Sequence, residues 1–397
     1  MRFVFFSLPA QGHTNPTLGV AKELIDRGHT VIYYSRDEFR TQIESAGVIY
    51  RKYPTAIESD RRISKNPALF GKLIMDLTDD LTPPLLSELE KEKVDCIAYD
   101  TVALWGKTVS NTLHIPAVSF FTTLAFNNKI FQKNLSFYLA SLTKALSTRH
   151  IFLQALYKYH KLGKRYGFKT NTINEFLLSK EKLNIVFTSS YFQPVSESFD
   201  KSFTFVGPSI NARSENVDFV KILNTNKKII YISTGTIFND NLAFYRLCIE
   251  TFKNTPYQVV MSLGHRFSLN DLPTIPDNMI IKNHIPQIDV LKRAAVFVTH
   301  AGMNSVNESM YFGVPMILIP QMYEQAFNAQ RIQELGAGIY LKQEKVTKRI
   351  LLDAIEKVLT DNTYHTSVKK IQNTLQETGG AKQAANAIEA YLSSKIR

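Results

Sequence analysis

Cysteine is scarce in this chain: the two present, Cys96 and Cys248, lie far apart among 397 residues. That excludes a disulfide framework and fits buried thiols in a reducing, cytoplasmic setting. No Cys/His spacing supports a metal cluster. No apolar run reaches the roughly 18–20 residues that a spanning helix needs. Met1 to Ala10 is apolar, but it carries only Arg2 as charge and no small-residue cleavage site follows. It reads as a buried first strand rather than a signal peptide. Acid is missing from Thr101 to Asn174, where ten Lys/Arg stand without one Asp or Glu. Most of the net charge of +12 therefore sits there. Such a surface attracts nucleic acid, anionic lipid or acidic small molecules.

What is present is an α/β rhythm. The length fits two domains of ordinary size, and 44% hydrophobic with 21% charged residues is a globular composition. Strand-like runs occur at Arg2–Leu8, Thr30–Ser35, Val94–Tyr99 and Pro116–Phe121. A helix is predicted from Asn15 to Gly28, with Asn15 as cap, Pro16 in the first turn and Gly28 closing it. Phe120 to Leu178 breaks the rhythm and reads as a helical insertion rich in Phe, Tyr and Lys. A polar linker with Gly207, Pro208, Asn211 and Ser214 follows. A second alternation then has strands at Lys228–Ser233, Tyr257–Ser262, Met279–Lys282, Val296–Thr299, Pro315–Ile319 and Gly338–Leu341. Helices are predicted at Thr347–Leu359, Thr363–Glu377 and Ala381–Ile396. The reading is two parallel-sheet domains, 1–210 and 220–380, with 381–397 packing back on the first. Their strand ends would face one another across a cleft, the default ligand site.

Four constellations fall at strand ends. His13, in Gln11-Gly12-His13-Thr14-Asn15-Pro16, follows the first strand and can serve as a proton acceptor; a structural histidine is the other reading. Asp100 ends a buried strand and can orient an imidazole, or cap the segment after it. Ser233-Thr234-Gly235-Thr236 offers small hydroxyls for phosphate or sugar oxygens, or is an ordinary turn. The fullest set runs from His300 through Gly302, Asn304, Ser305 and Glu308 to Glu324-Gln325. A helix starting near Asn304 would present N–H groups to phosphate, and Glu308 would accept from ribose hydroxyls. Neither a dinucleotide fingerprint nor a P-loop is present.

With these residues quoted, the chain resembles the inverting UDP-glycosyltransferases of the GT-B fold. It looks most like the bacterial macrolide-type members. The resemblance covers essentially the whole chain and is densest from Ile285-Pro286-Gln287 through His300-Ala301-Gly302-Met303-Asn304-Ser305 and Glu308 to Glu324-Gln325. It implies His13 as catalytic base with Asp100 as its partner. It implies a donor site of Asn15, Thr123, Ser233, Gly235, Thr236, His284, Ile285, Gln287, His300, Gly302, Asn304, Ser305, Glu308, Glu324 and Gln325. Within it, Glu308 binds the ribose, the segment from Asn283 to Gln287 holds the base, and Glu324 and Gln325 meet the sugar. Thr122 joins Thr123 in reaching the donor from the first domain. The chain departs from the usual pattern with His284 in place of Trp and Glu324-Gln325 in place of Asp-Gln, which leaves the sugar preference open. UDP-glucose is the expected donor, as substrate; no cofactor and no metal are implied. The acidic group Asp76, Asp79 and Asp80 lacks strand-end context and reads as a solvated helix face.

The acid-free stretch supplies Phe126, Phe131, Phe137, Tyr138, Phe152, Tyr157, Tyr159, Tyr166 and Phe168. Aromatic walls suit a small hydrophobic acceptor such as a polyphenol or macrolide. Lysine among aromatics is also an interfacial composition, so peripheral membrane contact and a lipid acceptor form the second reading. A solvated helix pair is a third. A non-catalytic nucleotide-sugar-binding protein is a further alternative, disfavoured by the presence of both His13 and Asp100. Nucleic acid is not an expected partner, and a monomer is expected.

Overall fold

The computed structural model describes residues 1–57, 66–133, 148–170, 180–210, 216–235 and 241–396. The chain divides into two compact units, Met1–Asn211 with Thr378–Arg397, and Ala212–Glu377.

The first unit is built on β1 (Arg2–Phe6), β2 (Thr30–Ser35), β3 (Ile49–Lys52), β4 (Cys96–Asp100), β5 (Ala117–Phe121), β6 (Asn184–Val186) and β7 (Phe203–Phe205). They form one sheet in the order β3-β2-β1-β4-β5-β6-β7, parallel throughout. β1 is apolar from Phe3 to Phe6, where both its faces are covered. Phe3 and Phe5 join a core with Leu18 and Leu24 of the helix Gln11–Asp26. Val4 and Phe6 join another with Leu81 and Leu85 of the helix Pro67–Leu89 and with Trp105. The helix Gly380–Ile396 adds Ala384, Ala385, Ile388 and Leu392 to the first of these cores. Its entry is tight: the Gly380 N–H donates to the Val206 carbonyl at 2.7 Å. A Cβ at Gly380 would stand 2.7 Å from the Pro208 carbonyl oxygen, at a φ of +56°. Arg27 fastens the helix by bonding Asn386 and Glu389 as well as Glu23.

The second unit carries β8 (Ile229–Ser233), β9 (Gln258–Ser262), β10 (Met279–Lys282), β11 (Ala294–Thr299), β12 (Met316–Leu318) and β13 (Gly338–Tyr340). Their order is β10-β9-β8-β11-β12-β13, again all parallel. Counted from its own first strand, each sheet contains the doubly wound order 3-2-1-4-5-6. The switch point, where ligands bind in such sheets, therefore lies between β1 and β4 in one unit and between β8 and β11 in the other.

Three expectations are corrected. The first helix begins at Gln11, not Asn15, and Asn15 does not cap it; its Oδ1 accepts from Gln42 Nε2 at 2.8 Å. Pro16 sits inside the helix, where it has no N–H for the Gly12 carbonyl. The acidic face is not merely solvated: Asp76 and Asp79 pair with Lys158, and Asp79 with Arg165, on the helix Arg149–Tyr166. Part of the basic excess is thus neutralised by the helix Pro67–Leu89. Several aromatics assigned to an acceptor wall are core: Tyr159, Tyr166 and Phe168 pack with Ile74, Met75 and Leu104. Phe131, Phe152 and Tyr157 are exposed. Asn211, Ser214, Phe137 and Tyr138 lie outside the described residues.

Candidate active site

In the first unit the switch point brings His13 and Asp100 together. β1 ends at Phe6, and the loop after it is held by Tyr53, which accepts from the Ser7 N–H (3.1 Å) and donates to the Ser7 carbonyl (2.9 Å). Burial pushes the Tyr53 phenol well above its ordinary range, so it keeps the proton it donates. Trp105 Nε1 donates to the same hydroxyl at 3.2 Å. The loop delivers His13 into the first turn of its helix, with its side chain 20% exposed.

Asp100, at the end of β4, is fully buried. Its Oδ2 lies 2.7 Å from His13 Nδ1 and accepts from Thr122 Oγ1 at 2.8 Å. Its Oδ1 accepts the Val102 N–H at 3.0 Å. Asp100 thus stands against the imidazole, but it does not cap the helix Leu104–Thr112, which has no side-chain cap; its bond to the Val102 N–H closes a turn before that helix. An aspartate that accepts at both oxygens draws the Nδ1–H tautomer of His13 toward itself, which puts the basic lone pair on Nε2. Thr122 stands beside this pair. Its hydroxyl is engaged with Asp100 and stands 2.9 Å from His13 Nδ1. Only the β4–β5 register, Asp100 opposite Phe120, reveals this. Thr123, next to it, is half-buried and makes a long 3.4 Å contact with the Leu124 carbonyl.

In the second unit the loops after β8 and β11 meet at His300. Gly235 has φ +81°, and a Cβ there would stand 2.5 Å from His300 Cε1. A Cβ on Gly302 would stand 2.5 Å from His300 Nε2. The ring is thus enclosed between two residues that must lack side chains. Burial drives its pKa down to about 4, so the imidazole is neutral at physiological pH. Its Nδ1 is buried without a hydrogen-bond partner among the described residues. Ala301, at φ +64°, turns the chain, and Asn328 Nδ2 ties down the Ala301 carbonyl at 3.0 Å. Gly302 then opens the helix Met303–Tyr311. Its first intrahelical bond runs from the Val306 N–H to the Gly302 carbonyl, so the helix donors at 303–305 point out of its start.

Glu308, one turn further, is only 6% exposed. Its oxygens accept from Asn304 Nδ2 (3.1 Å) and Gln287 Nε2 (2.6 Å). Gln287 begins the helix Gln287–Leu291 and also lies 3.4 Å from Ser305 Oγ. Gln287, Asn304, Ser305 and Glu308, distant in sequence by up to 21 positions, form one connected cluster. Ser233, at the end of β8, accepts the Gly235 N–H at 3.4 Å. His284 is exposed, whereas Ile285 is buried, so any contact Ile285 makes with a ligand is through its main chain. Glu324 sits in the first turn of the helix Tyr323–Glu334. Gln325 is buried and its Oε1 accepts the Gln321 N–H at 2.8 Å, so it shapes the loop before that helix. Thr236 lies outside the described residues. Among the described residues no group of three or more His, Cys, Asp or Glu could hold a metal ion. No described helix is long and apolar enough to cross a membrane.

Residues 77–377 match the family model "UDP-glucoronosyl and UDP-glucosyl transferase". The NDP-glycosyltransferase YjiC of Bacillus subtilis (strain 168) is 36% identical over 97% of this chain and 96% of its own. The oleandomycin glycosyltransferase of Streptomyces antibioticus is 27% identical over 98% of this chain and 90% of its own. Among solved structures, the kitacinnamycin glycosyltransferase superposes with a TM-score of 0.85 at 25% identity, over 98% of each chain. The agreement of family model, bacterial macrolide-type relatives and superposition decides the assignment. The chain belongs to the UDP-glucoronosyl and UDP-glucosyl transferase family and is a glycosyltransferase of the GT-B fold.

Proposed function

We propose that this enzyme moves a sugar, with glucose from UDP-glucose as the first candidate, to a hydroxyl of a small apolar or aromatic natural product with inversion at the anomeric carbon. The observation that carries the reading is His13 Nδ1 at 2.7 Å from the fully buried Asp100 carboxylate. In this reading His13 Nε2 takes the proton of the acceptor hydroxyl as its oxygen attacks the anomeric carbon from the face opposite the nucleotide. The bond between that carbon and the diphosphate oxygen breaks, and its electron pair leaves with UDP. An α-linked donor thus gives a β-glycoside. Asp100 holds the imidazole and stabilises the imidazolium that forms.

The first unit is assigned to the acceptor and the second to the nucleotide sugar. The N–H groups at the start of Met303–Tyr311, with His300, Asn304, Ser305 and Thr236, would meet the diphosphate charge, so no metal is required. A neutral His300 suits this as a donor that does not compete for the acceptor's proton. Glu308 would accept from the ribose, His284 and Ile285 would lie at the base, and Glu324 and Gln325 at the sugar. A natural-product acceptor is supported by the likeness to the oleandomycin and kitacinnamycin glycosyltransferases. A donor-by-acceptor screen read by mass spectrometry tests the assignment. His13→Ala should abolish transfer while UDP affinity stays within about twofold; equal loss of both would sink the base.

A lipid acceptor is the second reading. It is favoured by Leu153 and Tyr157, 62% and 73% exposed on the basic helix Arg149–Tyr166. Salt-sensitive sedimentation with anionic vesicles would support it.

A further inference from the structure

We propose that Asn328 is a positioning residue for the donor diphosphate. By holding the Ala301 carbonyl it fixes the peptide plane that presents the Gly302 N–H. The proposal rests on the reading of the start of Met303–Tyr311 as the diphosphate site.

Asn328 lies on the helix Tyr323–Glu334 and is fully buried, as is Ala301. A carbonyl can only accept, so the Asn328 amide must turn Nδ2 toward Ala301, at 3.0 Å. That orientation leaves Asn328 Oδ1 buried with no hydrogen-bond partner among the described residues. The Ala301 N–H is taken as well, by Thr299 Oγ1 at 3.3 Å. Both polar backbone groups of Ala301 are thus bound by buried side chains. The hold matters because Ala301 stands at φ +64°, where a residue other than glycine is disfavoured.

The Ala301 carbonyl and the Gly302 N–H belong to one trans peptide, so they point in opposite directions. Fixing the first aims the second. The helix ladder begins with the Val306 N–H on the Gly302 carbonyl, so the Gly302 N–H is the first of the donors that the helix start leaves outside it. Without the tie, Ala301 would favour the right-handed or extended backbone, and the shared plane would turn. The Gly302 N–H would then leave the group that meets the anion. Glu324 and Gln325 lie one turn before Asn328 on the same helix. The helix assigned to the sugar thus also carries the tie to the diphosphate loop.

The test is isothermal titration of UDP and, by competition with it, of uridine against the full chain. Several donors meeting the diphosphate charge predict that the wild type prefers UDP by about a hundredfold or more. Asn328→Ala should weaken UDP by about three- to tenfold and leave uridine within about twofold. Asn328→Leu keeps the branched shape and removes the unpaired oxygen together with the tie. It should act in the same way should the Ala variant fold poorly. Adding Ala301→Gly to either should restore UDP binding by about twofold or more, because glycine takes the left-handed backbone without help. A loss of packing alone would not be repaired there. An unchanged UDP-to-uridine ratio in both Asn328 variants, equal weakening of both ligands, or no recovery with Ala301→Gly overturns the tie. Ser305→Ala strikes the helix start directly and should lower the ratio. A lower ratio there, with both Asn328 variants at the wild-type value, removes the tie alone. A ratio unmoved in all three refutes the helix-start reading and the tie with it.

Discussion

Asp100→Asn is a sharp perturbation of the acceptor half, because three donors converge on one buried carboxylate. His13 Nδ1 and Thr122 Oγ1 meet Oδ2, and the Val102 N–H meets Oδ1. An asparagine has a single acceptor oxygen, so one side must face an NH₂ group. The Val102 N–H cannot reverse its polarity, whereas a hydroxyl can rotate and an imidazole can change tautomer. The amide oxygen therefore goes to Val102 and the NH₂ to His13. His13 then keeps its lone pair on Nδ1 and its proton on Nε2, where the acceptor hydroxyl would need a base. General-base catalysis contributes roughly 10²–10⁴-fold, and kcat/KM should fall by about that factor, or about 3–5 kcal/mol of barrier. UDP affinity should stay within about twofold, since the residues assigned to the diphosphate, ribose and base lie in the other unit. Initial rates of UDP release, with titration of UDP alongside, give both numbers. A variant that retains a third or more of wild-type kcat/KM would show that His13 needs no orienting carboxylate, and the dyad would be abandoned.

Three further outcomes follow from the same geometry. Gly235→Ala forces a Cβ to within 2.5 Å of the His300 ring in a left-handed backbone. It should cost about 1–3 kcal/mol of stability and weaken UDP binding; wild-type affinity and melting temperature together would contradict the enclosed ring. The His300 pKa, lowered from 6.5 to about 4, means the unfolded chain binds more protons between those values. Stability from this group is complete above about pH 6.5 and is lost as pH falls toward 4, by at most about 3–4 kcal/mol. Urea unfolding of wild type and His300→Asn should diverge in slope across that window, and parallel pH profiles would count against it. Ile388, fully buried on the helix Gly380–Ile396, should cost about 2–5 kcal/mol when cut to Ala, read by thermal unfolding. A change below about 1 kcal/mol would mean the helix is not part of the first unit's core.

The strands were legible where burial on both faces makes a continuous apolar run. β2 and β10 have the bounds read from sequence. β3 was not legible, because Ile49-Tyr50-Arg51-Lys52 is a half-exposed edge. β6 and β7, three residues each in the stretch after the insertion, were not read either. The first helix was started four residues late because Asn-Pro imitates a capped start, whereas the backbone turns at Ala10. In the basic stretch, Ala155, Tyr159, Leu162 and Tyr166 repeat at helical spacing and face the core. Composition saw aromatics there, and only the period tells which of them are inside. In the nucleotide segment, residue types and order point to one site, but the Gln287–Glu308 bond needs two helices to converge. Thr122 meets Asp100 of the neighbouring strand, so nothing local in the sequence marks that contact.

The return of the helix Gly380–Ile396 to the first core has a consequence for synthesis. That core, which holds Phe3, Leu18, Leu24 and Val31, is completed only by Ala384, Ala385, Ile388 and Leu392. The second unit, Ala212–Glu377, is one unbroken stretch and can close as soon as it leaves the ribosome. The first unit must wait for it, on the order of ten seconds at ordinary elongation rates, with an apolar helix face still open. The helix Gly380–Ile396 is thus the segment that closes the first core, and a chain stalled or shortened before it would leave that apolar face open.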